Sequence, residues 1–193
     1  MVHFVTLLIT FCVKKIIKFS VQVKIMGRLF KINSRQLIFA SLMGTVAFIV
    51  RNMGLYVVLL HPFKFDVRWV FSLLAACWTG PVGGFISGFL AALKFPYPLI
   101  DLACIPVHFL VGLMARVFRK MNKSSIVACI FWPIFGVPAY LAMSLLFLRV
   151  DVFVLALALA FIGVSTSVIA MVVGYAVEKR TRILELLEGC YVA

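Results

Sequence analysis

The sequence predicts an all-α integral membrane protein: a bundle of six transmembrane helices whose second and third members are short and flank a Gly-Pro turn. Three observations carry this. First, 65% of the 193 residues are hydrophobic, where soluble domains are about 45–50% apolar. Second, the apolar residues form runs of bilayer length. Third, the charges stand at the ends of those runs. One membrane domain is expected at 36–178, after a basic segment at 1–35 and before a short tail at 179–193.

The segment at the start combines a short apolar run, His3–Val13, with Lys14, Lys15, Lys18 and Lys24 behind it. A secretory signal has the reverse order of charge and apolar run. The segment reads either as an amphipathic surface helix or as an upstream extension, and we expect the latter, with the native chain starting at Met26.

Gln36–Leu60 is the first apolar run, and Pro98–Phe118, Ser125–Leu148 and Val152–Val177 are three more. Each is long enough for a hydrocarbon core ~30 Å thick. Phe63–Lys94 is too long for one comfortable span and has Gly80-Pro81 at its middle. Proline donates no backbone N–H and glycine permits unusual angles, so this pair marks a break. The segment is one kinked helix, two short crossings or a re-entrant hairpin.

Charge selects an even number of crossings there. With the basic start in the cytoplasm, the cluster Arg116/Arg119/Lys120/Lys123 and the cluster Lys179/Arg180/Arg182 then both fall inside, together with both termini. Cytoplasmic loops collect Lys and Arg. The net charge of +13 is thereby explained by topology, without nucleic acid as partner. A re-entrant hairpin at 63–94 satisfies the same rule.

The helix faces supply the candidate residues. Ala40, Gly44, Ala47 and Arg51 share one side of the first helix, and small residues at that spacing let another helix approach closely. The neighbour is either within this bundle or on a partner. Arg51 places a charge in the outer half, where it lines a cavity or meets an acid. Asp101, His108, Gly112 and Ala115 share a face of the fourth span. Trp132-Pro133 and Gly136-Val137-Pro138 kink the fifth, with Tyr140 and Ser144 in its outer half. Gly163, Ser167, Ala170 and Gly174 form a packing face on the sixth, and Gly80, Pro81, Gly84 and Gly88 a break and packing surface. Cys12, Cys77, Cys104, Cys129 and Cys190 include no C-x-x-C pair. No nucleophile motif, zinc helix or phosphate loop is present, so neither an enzyme, a cofactor nor a metal site is expected.

His61-Pro-Phe-Lys-Phe-Asp66, Trp69–Leu74 and Gly80-Pro-Val-Gly83-Gly84-Phe-Ile-Ser-Gly88 together resemble the substrate-binding S components of energy-coupling factor (ECF) transporters. His108-Phe-Leu-Val-Gly112 is similar to that family's fourth span, and the likeness covers roughly Arg35 to Arg182. It implies a cell-membrane subunit that binds a vitamin or similar small nutrient from outside. Delivery would depend on a transmembrane coupling protein and two cytosolic ATPases. It also implies a coupling surface at Ala40 and Gly44, where the family has Ala-x-x-x-Ala. The substrate would sit beneath the His61–Arg68 loop. Position and polarity nominate Arg51, Asn52, Asp66, Asp101, His108, Tyr140 and Ser144 to line that site. Two other readings stand beside it. One is a structural membrane protein like the MreD-like cell-shape group, of similar size and helix count. The other is a stand-alone ion-coupled carrier with Asp101 and His108 relaying protons.

Overall fold

Helix α1 (Ser34–Asn52) begins with a capping box: the Asn33 side chain accepts from the Gln36 N–H at 2.7 Å, and the Gln36 side chain accepts from the Asn33 N–H at 3.3 Å. These bonds satisfy donors that a helix start otherwise leaves open. The computed structural model describes residues 30–60, 63–93, 99–147 and 152–188. The expected start at Met26 and residues His3–Lys24 lie outside the described residues, as does His61.

One face of α1 is buried: Gln36, Ala40, Gly44, Ala47 and Arg51. The expected span Gln36–Leu60 is shorter as a helix than its apolar run. It ends at Asn52, and Gly54 turns the chain at φ 67°. The remainder forms strand β1 (Tyr56–Leu60), antiparallel to β2 (Phe63–Asp66), with Tyr56 opposite Asp66 and Val57 opposite Phe65. Tyr and Val favour an extended, pleated backbone. The described residues thus include a small hairpin that the sequence reading assigned to helix and loop.

The segment after β2 folds into α2 (Arg68–Thr79) and α3 (Pro81–Ala92). Gly80, at φ 85° and ψ −163°, closes one helix and opens the other. This backbone region suits glycine, and Pro81 takes the first helical position, where its missing N–H costs nothing. The two helices run antiparallel. Ser87 Oγ donates to Ser72 O at 3.2 Å, and Arg68 Nη1 donates to Ala91 O at 3.0 Å, both pairs straddling Gly80 symmetrically. Twelve residues rise only ~18 Å. Among the residues of α2, all but Phe71 are buried, so protein surrounds this helix.

A 3-10 turn (Leu99–Ala103) leads into α4 (Cys104–Lys120). α4 lies antiparallel to α3 at very close range. A Cβ on Gly84 would strike the carbonyl of His108, and one on Gly112 the carbonyl of Gly80. A second 3-10 turn (Ser125–Ile130) precedes α5 (Phe131–Phe147), which contains Pro138. Helix α6 (Val152–Thr181) returns along α5, with Gly163 against Trp132 and Ser167 Oγ donating to Cys129 O at 2.8 Å. A short α7 (Ile183–Glu188) closes the unit.

Among the described residues, three helical segments are long and apolar enough to cross a membrane: Ile100–Lys120, Ser125–Phe147 and Phe153–Thr181. The last exposes Phe153, Leu157, Phe161, Val164, Val168 and Val172 along one side. A large apolar face of that kind suits lipid rather than water. At the other side its small residues, Gly163, Ser167, Ala170 and Gly174, are buried.

Candidate functional site

Four charged side chains meet where the end of α1, the β-hairpin, the start of α2 and the 3-10 turn before α4 converge. Arg51 arrives on the buried face of α1. Asp101 arrives on the 3-10 turn, and its carboxylate receives Arg51 Nη2 on one oxygen and Arg68 Nη2, at 2.8 Å, on the other. Asp66 ends β2 and accepts from the Arg68 backbone N–H at 3.0 Å, holding the first turn of α2. Arg68 Nε also approaches Asp66 Oδ2 at 2.7 Å, without the alignment of a hydrogen bond. Two cations and two anions balance the site. That balance permits burial, because an isolated charge is excluded from an apolar interior and a paired, hydrogen-bonded one is tolerated.

A cleft of about 190 Å³ opens beside these charges, lined by Arg51, Gly54, Leu55, Tyr56, Asp66 and Arg68. Its lining combines the charged Arg51, Asp66 and Arg68 with Leu55 and Tyr56. Arg51 and Asp66 are thus brought together with Asp101 beneath them. Arg68 entered the sequence reading only as the end of the His61–Arg68 loop. Its place two residues after Asp66, at a helix start, was the available signal.

The remaining nominated residues sit elsewhere. Asn52 is exposed and its side chain donates to Phe48 O of its own helix at 2.8 Å, so it does not line the cleft. His108 is fully buried; Nε2 lies 2.9 Å from Ser72 Oγ and Nδ1 2.8 Å from Cys104 O. Its ring stacks on Trp69 at 5.9 Å between centroids. Tyr140 is buried too, with its hydroxyl 3.4 Å from Cys104 Sγ and its ring edge-on to Trp69. Ser144 is buried on the same helix. His108, Tyr140 and Ser144 therefore belong to the packed interior rather than to the cleft. Trp69 joins the two regions, since the Arg68 guanidinium lies 4.0 Å from its ring centre. Asp101, expected with His108 in a proton relay, bonds to Arg51 and Arg68, and His108 to Ser72 and Cys104.

Ala40 and Gly44, expected on a coupling surface, are also relocated. Both are buried against α3, where Gly83 meets Ala40 and a Cβ on Gly44 would lie 2.8 Å from Leu90. Their small side chains serve packing within the bundle and present no open surface to a partner.

At the far end of the bundle, the arginines assigned to topology hold the hairpin tip. Arg119 Nη2 donates to Cys77 O and Trp78 O at 2.6 and 2.5 Å, and Arg116 Nη2 to Thr79 O at 3.2 Å. These are the carbonyls that the end of α2 leaves without helical partners. Glu178 of α6 accepts from Trp78 Nε1 at 3.1 Å and from Ser124 Oγ at 2.9 Å. The charged cluster and cleft therefore lie at one end of α2–α4 and the basic cluster at the other.

Compared with family models, curated proteins and solved structures, the chain matches none.

Proposed function

We propose that this chain is the membrane subunit that captures a small nutrient at the outer face of the cell membrane. It hands the nutrient to a transmembrane coupling protein driven by two cytosolic ATPases. The observation that carries the reading is the cleft over the buried cluster Arg51/Asp101/Arg68/Asp66. Charge inside a membrane protein is expensive and marks function when it lines a cavity. The residues resembling ECF S components, Phe65-Asp66 and Gly80-Pro81 with Gly84 and Gly88, fall at the edge of this cleft and in the hairpin behind it.

In this reading α1–α6 make six passages, α2 and α3 as a hairpin whose α2 is enclosed by protein, and both termini are cytoplasmic. The support is the alternation of helix direction and the placement of Arg116, Arg119, Lys120 and Lys123 at the end opposite the cleft, as positive-inside charge requires. The chain itself performs no chemistry. It binds and orients, and the energy comes from ATP used by the partners.

Uptake of a radiolabelled nutrient panel, in cells with and without the ATPases, tests this. Uptake lost on ATP depletion supports the reading. Uptake that survives ATP depletion and collapses with the proton gradient supports the ion-coupled carrier instead. A folded protein that binds and transports nothing supports a structural role of the MreD-like kind.

A further inference from the structure

Helix α6 carries an exposed stripe that changes character along its length. Val164, Val168, Val172, Tyr175 and Lys179 follow one another at intervals of four, four, three and four, so they share one side of the helix. All five are exposed. Aliphatic, then aromatic, then cationic is the order of layers met on leaving a bilayer: hydrocarbon, interface, headgroups. The apolar segments Ile100–Lys120 and Phe153–Thr181 both finish at this end of the bundle.

The fold brings a second cation to the same edge. Ser124 Oγ donates to Glu178 Oε2 at 2.9 Å and Gly174 lies close against Ile126, so the second 3-10 turn packs on the last turns of α6. Lys123 precedes Ser124, Lys179 follows Glu178, and both lysines are exposed. The acid between them is turned to other use: Glu178 accepts from Trp78 Nε1 at 3.1 Å and from Ser125 Oγ at 3.3 Å as well as from Ser124. Glu185, at the same end, lies 3.9 Å from Arg182. Exposed Lys120 and Arg180 add to the positive charge. An anionic group suits this edge, and the apolar stripe leading into it favours one that arrives on acyl chains over one free in solution. A zwitterionic headgroup would bring a further cation here, and an acidic one does not. We propose that Lys123 and Lys179 hold the phosphate of an anionic phospholipid, with an acyl chain lying along Tyr175, Val172, Val168 and Val164. The proposal needs the chain to lie in a membrane and is independent of nutrient capture.

The test offers the purified full chain, in a neutral detergent, phosphatidylglycerol and phosphatidylcholine with identical acyl chains, and reads the retained lipid by native mass spectrometry. A cation beside an anionic headgroup is worth about fivefold in affinity. Phosphatidylglycerol should therefore be held on the order of tenfold more tightly than phosphatidylcholine, and Lys123→Gln/Lys179→Gln should remove the preference. Both lysines are exposed, so this variant should unfold near the wild-type temperature. Arg35→Gln/Arg182→Gln takes the same charge from other exposed positions at this end and should keep most of the preference. Equal retention of the two lipids would overturn the proposal and leave the basic edge to a cytosolic partner. An equal loss in both double variants would overturn the assignment to Lys123 and Lys179. Thermal stabilisation by inorganic phosphate as large as that by phosphatidylglycerol would show that a free anion suffices and overturn the lipid.

Discussion

Asp101→Asn removes one charge and almost no volume, so it isolates the electrostatics of the site. Asp101 is the acceptor shared by Arg51 and Arg68, both more than nine-tenths buried. Without its charge, Arg68 retains Asp66, while Arg51 loses its ion-pair partner. Breaking a buried pair by removing one member costs about 3–5 kcal/mol, because the remaining charge stays uncompensated. For a chain of this size that corresponds to a fall in Tm on the order of 10 °C. Trp69, Trp78 and Trp132 are all buried, so intrinsic fluorescence in detergent reports the transition. The double variant Arg51→Gln/Asp101→Asn should recover part of the loss, giving a coupling energy above about 1 kcal/mol, as contacting residues do. An Asp101→Asn protein within about 0.5 kcal/mol of wild type, the range of an ordinary surface substitution, would refute the buried ion-pair account.

Gly84→Ala places a methyl group against the backbone carbonyl of His108, and a backbone cannot step aside as a flexible side chain can. We expect a loss of about 1–3 kcal/mol in chemical or thermal unfolding. Arg119→Ala leaves Cys77 O and Trp78 O without this charged donor; a loss of about 1.5–3 kcal/mol should appear, with faster proteolysis near Gly80. Sidedness follows from the exposed positions Asn52 and Lys123. An impermeant thiol reagent added to intact cells should label Asn52→Cys, and should label Lys123→Cys only after the membrane is opened.

The buried face of α1 was readable because Ala40, Gly44, Ala47 and Arg51 recur at helical spacing; that Arg51 meets an acid was one of two readings, and the fold identifies the acid as Asp101. The break at Gly80-Pro81 was readable from backbone chemistry alone. The β-hairpin was not. Apolar residues run unbroken from Leu55 to Leu60, and a short apolar run has the same composition in a strand as in a helix. Ala40 and Gly44 show a second limit: a stripe of small residues looks alike whether the approaching helix belongs to this chain or another. His108, Tyr140 and Ser144 show a third. Polarity marks them as needing partners, but Ser72 stands 36 residues from His108 and Cys104 36 residues from Tyr140, and only the folded chain brings these pairs together. Arg68 was passed over because it stood at the end of a loop, whereas at the start of α2 it makes three contacts in the site, with Ala91 O, Asp101 and Asp66.

Ligand-dependent stabilisation of the purified protein tests nutrient capture most directly. A panel of vitamins, nucleobases and their precursors would be screened by thermal unfolding in detergent. A true ligand at ~100 times its Kd stabilises the fold by about 2.7 kcal/mol. The account predicts one chemically related group of strong hits whose stabilisation is lost in Arg51→Gln. A folded, monodisperse protein unmoved by the whole panel would contradict it.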